Sequence, residues 1–115
     1  MENLKNCTIT VMVSNLDVAV QFYVESLGLE LKKKYGEHYA EIQGPGLLLG
    51  LHPSERPVTK GDNLSIGFGV DDFDAVTRSL QDKGLALEIK QDGFIRLTHF
   101  KDPDENHLFV AEVSA

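Results

Sequence analysis

The stretch Ser65–Gly84, SIGFGVDDFDAVTRSLQDKG, decides the fold, because a second version of it lies near the N-terminus. Displacing the sequence by 57 positions (65 − 8) sets Thr8–Asp17, TITVMVSNLD, on Ser65–Asp74, SIGFGVDDFD. In both copies apolar residues recur at every second position: Ile9, Val11 and Val13 in one, Ile66, Phe68 and Val70 in the other. That period belongs to a strand with one face on a core. Each run then reaches a residue suited to cap a helix, Asn15 or Asp72, whose side chain can accept from N–H groups of the first turn. Asp17 and Asp74 add negative charge where the helix dipole favours it. Two copies of a strand-to-helix unit, neither able to bury its apolar face alone, predict a paired domain rather than a solenoid.

Outward from the first copy, Leu16 to Leu27 places Leu16, Ala19, Val20, Tyr23 and Leu27 on one helical face, with Phe22 widening the stripe and Gly28 closing the helix. Leu29 to Tyr35 reads as a half-exposed strand in which Lys32, Lys33 and Lys34 form a solvated, aggregation-resistant edge. A turn at Gly36, a strand over His38–Gln43, the tight turn Gly44-Pro45-Gly46 and a strand over Leu47–His52 follow. Pro53–Asn63, polar and broken by two prolines and a glycine, is the connection. The second half repeats the order. Its helix runs from Phe73 to Lys83 with Phe73, Val76 and Leu80 inward, ending at Gly84. Leu85–Lys90 is a strand, Gln91-Asp92-Gly93 a turn, Phe94–Phe100 a strand, Asp102–Asn106 a turn set by Pro103, and Leu108–Val113 the last strand. The expected fold is α+β: two βαβββ modules, residues 1–52 and 64–115, joined by the linker 53–63 within one domain.

At 115 residues the chain has material for one core, and its 42% hydrophobic and 25% charged content is that of a globular protein. No run approaches the roughly 20 apolar residues that span a bilayer, and Met1–Asn6 carries no signal-peptide pattern, so the expectation is a cytoplasmic protein without membrane contact. The single cysteine, Cys7, continues the Ile9/Val11 face and reads as a small buried apolar residue. A net charge of −7 argues against nucleic acid as a partner and gives a faint hint of a cationic ligand; the expected partner is a small molecule, cationic or aromatic.

Three features together carry a family resemblance: Val13-Ser14-Asn15-Leu16-Asp17 with Phe22-Tyr23, then Leu27-Gly28-Leu29, and the late Phe100-Lys101-Asp102-Pro103-Asp104-Glu105-Asn106. The chain resembles the vicinal oxygen chelate superfamily, which includes glyoxalases, extradiol dioxygenases and bleomycin-resistance proteins. Over nearly the whole chain, the resemblance implies two curled mixed sheets around a U-shaped cleft, often completed across a dimer. In the enzymes of the group it implies a divalent metal, held from the start of each module's first strand and from its last strand. Those positions fall here on Thr8, Ser65 and Phe109, and on or near Gly50. None is a good ligand for zinc, iron or manganese. Glu105 stands where the family commonly has glycine.

Strand alternation turns Thr8, Thr10 and Met12 away from the helix in the first module, and Ser65, Gly67 and Gly69 in the second. Two glycines on one strand face are read as room for something to approach the backbone: a ligand, a helix or a partner subunit. His52 and His107 each lie two residues from a cleft-facing position. With Glu41 they are the alternative, displaced metal site, whereas His38 and His99 read as ordinary. The expected ligand surface is Thr10, Met12, His52, Ser65, Gly67, His107 and Phe109, with no catalytic residue, no metal and no cofactor. The sequence therefore favours a metal-free small-molecule binding protein, closest in character to the bleomycin-resistance-like members. Its alternatives are a metal-dependent lyase, isomerase or dioxygenase with a rearranged site, and a structural or interaction protein with a vestigial cleft. Eight short strands with open edges predict a homodimer.

Overall fold

The fold is taken from a computed structural model that describes residues 8–58 and 64–113. Cys7 and the later part of the linker lie outside the described residues. The chain divides into two compact units, Met1–Thr59 and Lys60–Ala115. No helix among the described residues is long and apolar enough to cross a membrane.

In the first unit β1 (Thr8–Val13) leads into α1 (Leu16–Gln21), which continues as a π-helical turn over Phe22–Ser26, followed by β2 (Glu30–Tyr35), β3 (Tyr39–Gly44) and β4 (Leu47–Pro53). The sheet order is β1-β4-β3-β2, with β1 parallel to β4 and the other pairs antiparallel. The second unit repeats this with β5 (Ser65–Val70), α2 (Phe73–Asp82), β6 (Ile89–Asp92), β7 (Ile95–Lys101) and β8 (His107–Glu112), in the order β5-β8-β7-β6. The two βαβββ modules expected from the repeat are present as two four-stranded mixed sheets.

The repeated caps behave alike. Asn15 Oδ1 accepts from the Val18 amide at 3.0 Å and Asp72 Oδ1 from the Ala75 amide at 3.1 Å. Both helices are followed by glycines in the left-handed region, Gly28 at φ 77° and Gly84 at φ 94°. In the first core Val11, Val13, Leu16, Ala19, Tyr23, Ala40, Ile42, Leu49 and Leu51 are buried; in the second, Ile66, Phe73, Leu80, Phe100, Leu108 and Val110. In both sheets alternate strand positions thus lie under the helix, and the intervening ones are left on the open face.

Two local expectations are corrected. The first helix is not α-helical to Leu27: the Leu27 amide donates to the Phe22 carbonyl at 3.1 Å, five residues back. The wider turn lets two successive aromatics point inward, Tyr23 fully buried and Phe22 meeting it edge-on at 5.4 Å. The strand expected over Leu85–Lys90 is displaced to Ile89–Asp92. Leu85 is held by the helix end, its amide donating to the Leu80 carbonyl, and the Glu88 carbonyl accepts from Thr98 Oγ1 at 2.9 Å. The ladder then runs through Gln91↔Arg96 and Asp92↔Ile95, so Gly93 and Phe94 form the turn.

The expected turn after β7 is organised by Asp102, whose side chain is buried. Its Oδ1 accepts from the Asp104 and Asn106 amides at 2.9 and 2.8 Å, and its Oδ2 from Asn106 Nδ2 at 2.8 Å. Glu105, at φ 63°, holds the left-handed conformation that glycine adopts without cost.

A charged cluster that the sequence did not announce ties α2 to its sheet. Arg96 on β7 donates through Nη1 to Asp74 Oδ1 at 2.9 Å and through Nη2 to Glu112 Oε2 at 3.0 Å, with its guanidinium 4.8 Å from the Phe73 ring centroid. Hydrogen bonds from the Arg96 side chain and then from its backbone amide hold the Glu112 carboxyl below its ordinary 4.5. A depressed carboxyl stabilises the fold fully above the unfolded pKa and loses that contribution as pH falls through the folded one. Arg96→Met should therefore raise the Glu112 titration and flatten the acid limb of the stability profile below about pH 5. Carboxyl-carbon NMR titration with stepwise denaturation at each pH checks this, and Glu112 titrating at or above 4.5 in the parent protein would refute it.

Candidate functional site

The register of each sheet determines what shares its open face. In the first unit Thr10 pairs with Gly50 and Met12 with His52, while Gly50 pairs across with Glu41 and Tyr35 with Tyr39. Thr10, Met12 and His52 are exposed, as alternation required. Beside them lies a row of rings: Tyr35 and Tyr39 have centroids 5.9 Å apart, and Tyr39 and His52 6.3 Å. Tyr35 Oη donates to Glu41 Oε1 at 3.2 Å, and Lys33 Nζ stands 4.7 Å from the Tyr35 ring centroid. His52 Nδ1 is 2.8 Å from the Pro53 carbonyl. The lysine run is only partly the solvated edge expected. β2 is exposed along its length, but Lys34 Nζ donates to Asp17 Oδ1 at 2.8 Å.

On the open face of the second unit Ser65 pairs with His107, Gly67 with Phe109, and Phe109 across with His99. The His99 and Phe109 rings lie 5.4 Å apart. A shallow hollow of about 280 Å³ opens beside β7, lined by Leu85, Ala86, His99, Phe100, Lys101 and His107.

Of the two glycines read as room, a β-carbon on Gly69 would meet only Val113 Cγ2 at 3.0 Å, whereas Gly67, like Gly50 in the first sheet, is filled from within its own sheet. A β-carbon built on Gly67 would collide with the tip of the Phe109 ring, within 2.7 Å of both Cε atoms, and one on Gly50 would come within 2.8 Å of Tyr39 Cζ. The space over Gly67 is therefore the seat of an aromatic ring from the neighbouring strand, a packing partner that alternation within one strand does not reveal. Tyr39, which the sequence does not place on this face, and His99, read there as ordinary, are the rings beside His52 and Phe109. The signal that finds them is cross-strand register, which places each of them opposite a position already assigned to the open face.

The family profile described as Glyoxalase/Bleomycin resistance protein/Dioxygenase superfamily matches residues 7–109. The chain belongs to this superfamily. Uncharacterized protein YraH of Bacillus subtilis (strain 168) is 28% identical over 124 residues, covering 93% of this chain and 97% of that protein. Among solved structures, TnmS3, an antibiotic binding protein from Streptomyces sp. CB03234, is 28% identical with a TM-score of 0.80 and covers 99% of each chain. The bleomycin-binding protein of Streptomyces verticillus, in complex with copper(II)-bleomycin, is 18% identical with a TM-score of 0.74, covering 99% of this chain and 100% of that one. The last of these likenesses concerns the fold.

Enzymes of the superfamily imply a divalent metal, and the donor set here does not fit one. Thr8 and Ser65 offer neutral hydroxyls, Phe109 offers no donor, and the side-chain position at Gly50 is taken by Tyr39. Among the described residues no three His, Cys, Asp or Glu side chains are grouped so as to hold a metal ion.

Because Phe109 occupies the space over Gly67, Gly67→Val alone should destabilise the protein by about 1–3 kcal/mol through overpacking. Combining it with Phe109→Ala should restore part of that loss. Strict additivity of the two changes in urea denaturation would show that the ring and the glycine do not share this space.

Proposed function

We propose that the protein binds a small organic molecule without a resident metal and without chemistry of its own, using the open sheet faces that carry Thr10, Met12 and His52 in the first unit and Ser65, Gly67, His107 and Phe109 in the second. The observation that supports this reading is the set of rings on those faces, where the positions of the implied metal ligands hold Thr8, Ser65, Phe109 and Gly50. Tyr35, Tyr39 and His52 on one, and His99 and Phe109 on the other, supply apolar surface with a few hydrogen-bonding groups, the mixture expected of a ligand surface. The likeness to an antibiotic binding protein over the whole chain supports the same class of ligand.

A thermal-shift screen of aromatic, cationic and antibiotic-like compounds tests it. A ligand at about 100 times its Kd adds about 2.7 kcal/mol, which for a chain of this size raises Tm by roughly 10 °C. Protein purified without chelator should carry no stoichiometric divalent metal and show neither glyoxalase-type nor ring-cleaving activity. About one tightly held metal per chain, lost on His52→Ala or His107→Ala, would overturn the reading.

The same proposal includes a homodimer. β2 and β6 end their sheets, and Leu31, Tyr35, Ile89 and Phe94 leave apolar surface exposed on or beside them, Phe94 completely. Sedimentation should find the dimer at tens of micromolar, a concentration at which a standard-sized specific interface is filled. A monomer throughout that range would remove it.

A further inference from the structure

We propose that the hollow beside β7 holds the anionic group, a carboxylate or a phosphate, of the small molecule; the inference rests on the binding function proposed above and adds the charge of the ligand. Three of its six lining residues carry nitrogen side chains, Lys101, His99 and His107, and the other three, Leu85, Ala86 and Phe100, are apolar. No carboxylate lines it. Lys101 and His107 are paired across the β7–β8 ladder and His99 is two residues upstream on the same face, so register brings the three together.

The fixed positive charge of the lining is that of Lys101. Lys101 makes no ion pair among the described residues. The adjacent carboxylate, Asp102, is buried and engaged by the Asp104 and Asn106 amides and by Asn106 Nδ2. Arg96, the other cation on β7, stands on the alternate face of the strand, against Phe73. A basic lining in a chain of net charge −7 runs against the composition as a whole. It therefore selects at this spot for the sign opposite to the one the overall charge would favour.

Size and neighbours define the rest of the ligand. About 280 Å³ is slightly less than the smallest pockets that enclose a whole drug-sized molecule, so the hollow accommodates one end of a ligand. His99, in its lining, stacks against Phe109 at 5.4 Å, which continues the surface as an aromatic wall. The ligand class is an aromatic or otherwise flat molecule bearing one acidic group. The Lys101 ammonium and the two imidazoles meet that group, and the flat body extends over Phe109.

Amide-resolved NMR titration of the full chain with 4-phenylbenzoate, phenyl phosphate and 4-phenylbenzylamine tests this. At least one of the two anions should shift Leu85, Ala86, His99, Lys101 and His107 and bind at least about tenfold more tightly than the amine. Whichever anion is preferred identifies the acidic group as carboxylate or phosphate. Lys101→Glu should weaken that binding at least about tenfold, while Lys101→Arg keeps it within about threefold, separating charge from packing. Equal or tighter binding of the amine, indifference to Lys101→Glu, or no shift of these residues by either anion up to about 10 mM would each overturn the inference. If the probes shift Thr10, Met12 and His52, or Ser65 and Gly67, without Leu85, Ala86 and Lys101, the anion site falls and the binding function stands. If the thermal-shift screen also finds no ligand, the binding function falls with it.

Discussion

In each unit the first strand lies parallel to the last, and the remaining features depend on that register. β1 meets β4 with Thr10 beside Gly50, and β5 meets β8 with Gly67 beside Phe109. Parallel strands cannot be joined by a tight turn, so the helix and two intervening strands form the connection. A slip of one residue would turn Val11 and Val13 outward and carry Thr10 and Met12 under the helix. The apolar demand of the helix face thus selects the register, and the register in turn assembles the open face.

The helices are tied down by ion pairs at equivalent places. Asp17 and Asp74, each in the first turn of its helix, meet a cation from the sheet: Lys34 from β2 and Arg96 from β7. The two ties are unequal in strength. Lys34 meets Asp17 at 2.8 Å and Glu37 at 4.0 Å, both exposed carboxylates, and pairs of this kind contribute little. Arg96 bridges two carboxylates and lies against Phe73, using the planar fork that lysine lacks.

The open faces depend on a different device. Glycine in a sheet interior weakens packing unless something covers it. Here Tyr39 covers Gly50 and Phe109 covers Gly67, so each glycine seats an aromatic ring close to the backbone. In each unit the ring has a histidine beside it, His52 next to Tyr39 in the first and His99 next to Phe109 in the second.

The sequence by itself determined the parts that depend on neighbours along the chain. Alternation at Ile9/Val11/Val13 and Ile66/Phe68/Val70, caps at Asn15 and Asp72, left-handed glycines at 28 and 84, and the turn after Lys101 are each readable because a few consecutive residues carry the whole cause. The repeat then required two modules, and the resemblance supplied the superfamily. Tertiary structure alone decided the π turn at Phe22–Ser26, the displacement of β6, the aromatic cover over both glycines, the Arg96 clamp and the grouping of His99, Lys101 and His107. These arise where strands distant in sequence lie side by side. A strand's periodicity shows which way its side chains point; only the long-range pairing shows what they meet.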